Sequence, residues 1–135
     1  MTLRERQDRF IEDMAMFDDW KDKFDYLISE HESVSHSREV PESLTKYRID
    51  NCQSKTCFRA EIVDGCLHVD GWSNSSIMSG LIVCIKRMFD RTPGAEVWKT
   101  VINYHQKTGL IHNMTPMRSA ALLEINHRIH VLLKK

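Results

Sequence analysis

The stretch Asn51-Cys52-Gln53-Ser54 sets a cysteine among small polar residues, with Arg48 and Lys55 on its two sides. No apolar cluster adjoins it, so we expect the thiol to be exposed to water and close to positive charge. Those surroundings favour the thiolate, which is the nucleophilic form of cysteine. Because many cysteines are instead inert small apolar residues, the local pattern leaves both a reactive and a structural role open.

Length and charge limit the classes of function that the chain can have. It has 135 residues, 41% of them apolar, and 19 basic residues balance 19 acidic ones. This predicts a single domain, residues 1–135. Balanced charge argues against binding to nucleic acid or to an acidic membrane surface, and no apolar stretch is long enough to span a bilayer. We expect a cytoplasmic protein whose partners are proteins.

The cysteines and the nearby histidines do not have the spacing of a metal site. The cysteines form no C-x-x-C pair, and the histidines share neither a face nor a compact ligand spacing. We therefore expect reduced thiols and no bound metal. The residues concerned are Cys52, Cys57, Cys66, Cys84, His31, His36 and His68.

Helices are predicted before the cysteine stretch. Apolar residues recur at mostly helical spacing over 3–17, and Asp18 or Asp19 can cap a second amphipathic helix that begins near Trp20. The polar residues 29–46 predict a long connection.

A β-hairpin is predicted directly after the cysteine stretch. Residues 58–63 alternate as a half-buried strand does. Asp64-Gly65 suits a type I′ turn, and 66–72 would form the return strand with Leu67 facing inward. Residues 47–50 could supply a third strand.

The central buried helix is predicted over about 77–89, because apolar residues nearly encircle it and the serines and asparagine of 73–76 offer N-caps. Gly80 lies in its middle, where glycine costs about 1 kcal/mol relative to alanine. Close packing of this helix against the sheet would explain the glycine.

Two further helices are predicted from Thr-Pro pairs, in which a capping hydroxyl precedes a proline at the first helical position. Thr92-Pro93 would start a helix that ends at Gly109, with Val97 and Val101 on its buried face. Thr115-Pro116 would start the last helix, which would end at about residue 133.

Arg118 precedes Leu122 by four residues on the apolar stripe of that last helix, so we expect it to point along the inward face. It could line a cleft, where the helix N-terminus would favour an anion or a thiolate. On the residues alone, the usual behaviour of arginine favours the alternative, in which its stem lies over the core rim with its guanidinium in water.

Several segments, taken together and in order, resemble one known family. The cysteine motif is Ile49-Asp50-Asn51-Cys52-Gln53-Ser54, and the other segments are Phe24-Asp25-Tyr26-Leu27-Ile28, Val40-Pro41-Glu42-Ser43-Leu44, Ser79-Gly80-Leu81, Thr92-Pro93 and Thr115-Pro116-Met117-Arg118. They resemble the SufE-like sulfur-acceptor proteins of iron–sulfur cluster assembly, a group that includes CsdE.

The resemblance implies an α+β fold, in which a small antiparallel sheet of about three strands packs against several helices, as in SufE and IscU-type scaffolds. It also implies a protein without a cofactor of its own that docks on a pyridoxal-phosphate cysteine desulfurase of the SufS or CsdA type and stimulates it. Sulfur would pass as a persulfide to Cys52 and then to a SufBCD-like iron–sulfur scaffold. We do not expect the protein to turn over alone.

Arg118 matches an arginine of the family's motif, and its donors would stabilise a thiolate or persulfide anion. Asn51, Gln53 and Ser54 would support the loop. Asn51 replaces the family's usual glycine, but asparagine tolerates a positive φ. Cys57 stands where the family usually has tryptophan, and we expect it to be structural.

Three other functions stay open on the residues alone. Cys52 could be the nucleophile of a hydrolase, activated by His68 or His105. A scaffold could hold zinc or an iron–sulfur cluster through Cys52, Cys57 and Cys66. A protein-binding module would not need the thiol.

Overall fold

The computed structural model describes residues 1–50 and 54–132. Asn51, Cys52, Gln53 and the predicted end of the last helix at residue 133 lie outside the described residues. The elements in chain order are α1 (Leu3–Ala15), α2 (Trp20–Glu32), a 3₁₀-helix (Glu42–Tyr47), β1 (Thr56–Val63), β2 (Cys66–Ser73), α3 (Ser76–Phe89), β3 (Thr92–Pro93), α4 (Gly94–Lys99), α5 (Tyr104–Lys107), α6 (Leu110–Asn113) and α7 (Pro116–Val131).

The first two helices begin at capping side chains, which satisfy backbone N–H groups that have no partner within the helix. Thr2 Oγ1 accepts from the backbone of Glu5 at 3.1 Å, and the Glu5 carboxylate accepts from the backbone of Thr2 at 2.9 Å. Asp19 caps α2 by accepting from Asp22 at 2.8 Å. The second of the two predicted aspartate caps is therefore confirmed.

The predicted hairpin is present. β1 and β2 pair antiparallel from Thr56–Ser73 to Val63–Cys66. Asp64 and Gly65 have φ values of 53° and 80°, and positive φ at both central residues is the mark of a type I′ turn. Leu67 is fully buried, as predicted.

The third strand is β3, which pairs antiparallel with the start of β2 and gives the order β1-β2-β3. Residues 47–50 do not supply it, although Arg48 forms an isolated antiparallel bridge with Cys57. The prediction that Thr92 caps a helix is also wrong. Its hydroxyl instead accepts from Arg6 Nη2 at 2.6 Å, and α4 starts after Pro93.

The single helix predicted from Thr92-Pro93 to Gly109 is wrong, because α1 competes for its backbone. Gln7 is buried, its Oε1 accepts from the backbones of Asn103 and Tyr104 at 2.9 and 3.0 Å, and its Nε2 donates to the carbonyl of Val101 at 2.9 Å. The segment is therefore divided into α4, α5 and α6. Val97 is buried as predicted, but Val101 is 73% exposed.

The predicted central helix is confirmed as α3, which is capped by Ser75 and buried on nearly every side. Gly80 is explained by a different neighbour from the one expected. A Cβ at this position would overlap the backbone carbonyl of Leu27, so α3 packs here against α2 and not against the sheet.

The last helix, α7, begins after Thr115, whose hydroxyl accepts from the backbone of Arg118 at 3.3 Å. Its buried face holds Leu122, Ile125 and Ile129, as the apolar stripe predicts. Within residues 1–50 and 54–132, we find no helix with the length and apolar character needed to span a membrane.

Candidate functional site

The two described ends of the cysteine segment are joined by a backbone hydrogen bond. The N–H of Ile49 donates to the carbonyl of Thr56 at 2.9 Å. Lys55 is tied to Asn74 by two bonds of 3.0 Å, one from its backbone N–H to Oδ1 and one from the Asn74 N–H to its carbonyl. The chain therefore leaves and rejoins the sheet at one place, the start of β1, where Ser54 is half-buried.

Arg128 of α7 fixes the two ends of the cysteine segment, which we call its base, from one side. Its Nη1 donates to the carbonyls of Tyr47 and Phe58, both at 2.7 Å, and its Nη2 donates to the carbonyl of Arg48 at 3.0 Å. Glu124 accepts from its Nε at 3.1 Å. The planar guanidinium satisfies several acceptors at once, which the single ammonium of lysine does less well. Sequence reasoning missed Arg128, because nothing local distinguishes it from a surface arginine.

A small apolar cluster of Leu44, Cys57 and Trp72 supports the base from the other side. Cys57 is 1% exposed, and burial raises the pKa of its thiol although Arg48 acts in the opposite direction. The Trp72 indole N–H donates to the carbonyl of Ser37 at 2.8 Å and so attaches the long connection to the hairpin. Cys57 is thus a protonated packing residue at neutral pH.

α7 contacts β1 through its C-terminal half. Arg128 donates to the carbonyl of Phe58, and Val131 and Leu132 share a surface groove with Phe58 and Ala60.

Arg118 precedes Arg128 by ten residues, or about 15 Å of helix. Arg118 is therefore about 15 Å along α7 from the point where Arg128 binds the carbonyls on both sides of the cysteine segment.

The Arg118 side chain is half-buried. Its Nε is shielded from water and has no hydrogen-bond partner among residues 1–50 and 54–132. A buried, charged N–H group without a partner is costly, so this donor can serve an acceptor that reaches it. Asn51, Cys52 and Gln53 lie outside the described residues, and their contact with Arg118 stays a prediction.

The strand register separates two of the cysteines that a zinc or iron–sulfur scaffold would bring together. Cys57 lies opposite Trp72 and Cys66 opposite Val63, which places the two cysteines about 20 Å apart along the hairpin. One metal ion cannot bind both. In the described part of the chain, no group of three or more histidines, cysteines, aspartates or glutamates is placed to hold a metal ion.

A catalytic histidine is also hard to place. His68 lies opposite Glu61, about 16 Å along the strand from Thr56. His105 is 8% exposed and packs against the Tyr104 ring. Neither position suits activation of a nucleophile at the start of β1.

The chain is similar to known proteins over most of its length. The SufE family model, described as an Fe-S metabolism associated domain, matches residues 8–132. An uncharacterised SufE-like protein of Rhizobium meliloti is 24% identical over 90% of both chains, and one of Rhizobium etli is 23% identical over 90% of this chain and 85% of its own.

The fold is shared with solved structures, one of which is the solution structure of a hypothetical protein from Thermus thermophilus. That protein is 16% identical and matches with a TM-score of 0.62 over the whole of both chains. The family model covers nearly the whole of this chain, and the three-stranded antiparallel sheet packed with helices agrees with the fold that the resemblance implied. The chain belongs to the SufE family, whose domain is associated with iron–sulfur metabolism.

Proposed function

We propose that this protein is a sulfur acceptor that carries sulfane sulfur on Cys52 for iron–sulfur cluster assembly. Family membership supports a role in iron–sulfur metabolism. The observation that supports the finer proposal is the buried Nε of Arg118, in the first turn of α7, which has no hydrogen-bond partner in the described part of the chain. An anionic sulfur is the kind of acceptor that this donor lacks.

The proposed reaction is a thiol exchange that needs no oxidant. The Cys52 thiolate attacks the terminal sulfur of a persulfide on the donor enzyme. A sulfur–sulfur bond forms at Cys52 while the donor's own sulfur–sulfur bond breaks, and the donor cysteine leaves as a thiolate. One persulfide is consumed and one is formed, so atoms and charge balance.

Arg118 would lower the free energy of both anions on Cys52, the attacking thiolate and the persulfide product. A guanidinium offers charge together with directional N–H donors. Asn51, Gln53 and Ser54 would shape the loop that presents the thiol, and Arg128 would hold the carbonyls at its base. In this proposal Arg118 acts on the sulfur directly, whereas Arg128 is a positioning residue.

The donor that fits this chemistry is a pyridoxal-phosphate cysteine desulfurase of the SufS or CsdA type, which the protein would dock on and stimulate. The acceptor would be a SufBCD-like scaffold, and the site of action the cytoplasm. The pyridoxal phosphate belongs to the desulfurase, so residues 1–135 would act as one domain with no cofactor of their own and no turnover alone.

Intact-protein mass spectrometry tests the proposal. The protein is incubated with a desulfurase of each type, pyridoxal phosphate and cysteine, and its mass is measured before and after reduction. We expect a reducible gain of about 32 Da per sulfur, mapped by peptide analysis to Cys52.

Two variants make the result specific. Cys52→Ser should lose the gain, and Cys66→Ser, which changes a partly exposed cysteine at the far end of the hairpin, should keep it. Absence of any gain with both desulfurases, or a gain that persists in Cys52→Ser, would show the carrier role to be wrong.

A further inference from the structure

A second concave surface lies away from the cysteine segment, between α7 and the chain that runs from α4 to α5. Its cavity is about 470 Å³, which is within the usual range for small-molecule sites. None of the residues that line it belongs to 48–56, and Arg118 is not among them. We call this surface the α4–α7 groove.

Two residues that line the α4–α7 groove each have a buried polar atom without a hydrogen-bond partner in the described part of the chain: His105 Nδ1 and Asn126 Nδ2. Both residues are at least nine-tenths buried, His105 at 8% and Asn126 at 9% exposure. Buried polar groups in native proteins are almost always paired. Two such atoms in one groove therefore indicate a ligand that supplies the missing partner.

The orientation of the Asn126 amide follows from Tyr104. The fully buried Tyr104 hydroxyl donates to Asn126 Oδ1 at 2.6 Å. The amide atom left without a partner is therefore Nδ2, a donor. Burial lowers the pKa of His105, so its ring is neutral at pH 7, and Nδ1 is also a donor in the tautomer that holds its hydrogen there. In that tautomer both atoms are donors, so a ligand that satisfies them offers acceptors.

The charge and exposure of the groove define that ligand further. Lys99 is an exposed, positively charged residue of its lining, and no carboxylate lines it. In the same lining, Trp98 is 65% exposed and Leu123 is 50% exposed. Large apolar side chains beside a basic, acceptor-seeking pocket suit an anion with an apolar substituent.

The wall of the groove is held in place before any ligand arrives. Gln7 of α1 bonds to the backbones of Val101, Asn103 and Tyr104, as described above. That clamp turns Val101 outward and leaves it 73% exposed beside the groove. A ligand would not need to order this segment, which reduces the entropic cost of binding.

We propose that the α4–α7 groove binds a carboxylate that bears an apolar substituent. Asn126 Nδ2 and His105 Nδ1 donate to the carboxylate oxygens, and the substituent packs between Trp98 and Leu123. Such a group is found both in free apolar carboxylic acids and at the C-terminus of a polypeptide that ends in an apolar residue. This site goes beyond the persulfide chemistry and does not depend on it.

The test is titration of ¹⁵N-labelled protein with two probes, followed by NMR. 4-Methylpentanoate represents the free acid, and acetyl-Ala-Ala-Leu with a free carboxylate represents a polypeptide C-terminus. We expect saturable shifts of the Asn126 side-chain amide and the Trp98 indole N–H with at least one probe. The corresponding primary amides should bind about tenfold more weakly, because they lack the charge that strengthens these hydrogen bonds.

Whichever acid binds more tightly identifies the source of the ligand. No saturable shift with either acid, or equal binding of an acid and its amide, would overturn the proposal.

Variants separate the groove from a nonspecific effect. Asn126→Asp keeps the acceptor for Tyr104 but replaces the Nδ2 donor with an oxygen, so binding should fall about tenfold or more. Lys99→Gln and Leu123→Ser change exposed residues and leave the buried hydrogen bond between Tyr104 and Asn126 in place. Each should weaken binding by about two- to fivefold.

Lys107→Gln is the matched control, because Lys107 is exposed on α5 and does not line the groove. Cys52→Ser should also bind normally, which distinguishes failure of this proposal from failure of the sulfur-acceptor proposal. Unchanged affinity in both Lys99→Gln and Leu123→Ser would contradict the assignment even if Asn126→Asp failed to fold.

Discussion

Arg128 Nη1 lies 2.7 Å from the carbonyl oxygen of Phe58, and the same nitrogen lies 2.7 Å from that of Tyr47. One side chain of α7 thereby joins β1 to the end of the 3₁₀-helix. Those two segments flank the cysteine segment in the chain, so a residue far from Cys52 in sequence sets the spacing between them.

Arg128→Lys should destabilise the protein by about 2 kcal/mol, since lysine cannot reach all three carbonyls and hydrogen bonds from a charged group are each worth about 1.5–3 kcal/mol. Urea denaturation measures the change, with Arg4→Lys as the control at an exposed arginine. Equal stability of the two variants would mean that the carbonyls are satisfied without Arg128. We also expect slower sulfur transfer to Cys52, because its base would be less rigid.

Gly80→Ala should destabilise the protein by about 3 kcal/mol or more, because a Cβ would force α2 away from α3. This outweighs the roughly 1 kcal/mol by which alanine is the better helix former. Gly94→Ala is the contrast, since a Cβ there meets the nearest atom, the Gly65 carbonyl oxygen, at 3.4 Å. We expect it to be within about 0.5 kcal/mol of wild type, and a similar cost for both variants would contradict the close packing at Gly80.

Arg118→Lys should slow the alkylation of Cys52 at neutral pH by about three- to tenfold, because the thiolate loses a directional donor. The measurement is the rate of iodoacetamide modification of Cys52 as a function of pH, and the midpoint should move to higher pH. Arg9→Lys, at an exposed arginine of α1, should leave the profile unchanged. An unchanged pH profile in Arg118→Lys would show that Arg118 does not act on the Cys52 thiolate, and the description of the fold would still hold.

Cys52 should react with an alkylating reagent before the two buried cysteines, Cys57 and Cys84. Burial raises the pKa of Cys84 to about 12 and also raises that of Cys57, so both are protonated and shielded at about pH 8, near the ordinary pKa of a thiol. In folded protein, peptide mapping after brief alkylation should show Cys52 modified and these two unmodified. All four should react in denaturant, and rapid modification of folded Cys84 would contradict its burial.

Acid should destabilise the fold partly through His105. Burial lowers its pKa, so as the pH falls through the ordinary histidine value of about 6.5, the unfolded chain gains a proton that the folded chain does not. Unfolding is then favoured as the pH falls. His105→Gln should lose less stability than wild type between about pH 7.5 and 5.5, with the exposed His112→Gln as control. Equal pH dependence in His105→Gln and wild type would exclude this contribution.

Local signals predicted much of the fold. The Asp64-Gly65 turn and the helix after Ser75 depend on turn and cap chemistry that neighbouring residues specify. The predictions failed where distant residues decide. Gln7 binds the backbone of residues 101–104, which therefore does not continue a helix from Thr92-Pro93. Gly80 allows α2 to pack closely, and the sequence of α3 alone does not show that α2 is its neighbour.

The chemistry of the site is a prediction from its motif, whereas the residues that support the site became visible only in the fold. Cys52 and Arg118 stand out by motif, and Arg118 has the inward position on α7 that its spacing implies. Arg128 was not predicted, because its role depends on three carbonyls that only the tertiary fold brings within reach of one guanidinium. Backbone carbonyls leave no signature in a sequence.

The backbone bond between Ile49 and Thr56 has a consequence for how this protein can vary. It uses only main-chain N–H and C=O groups, which every residue except proline can provide. The chain between these two positions can therefore change in sequence, and even in length at about 0.6 kcal/mol for each doubling, while the sheet and helices stay as they are. The sequence of this segment can therefore evolve separately from the stability of the sheet and helices.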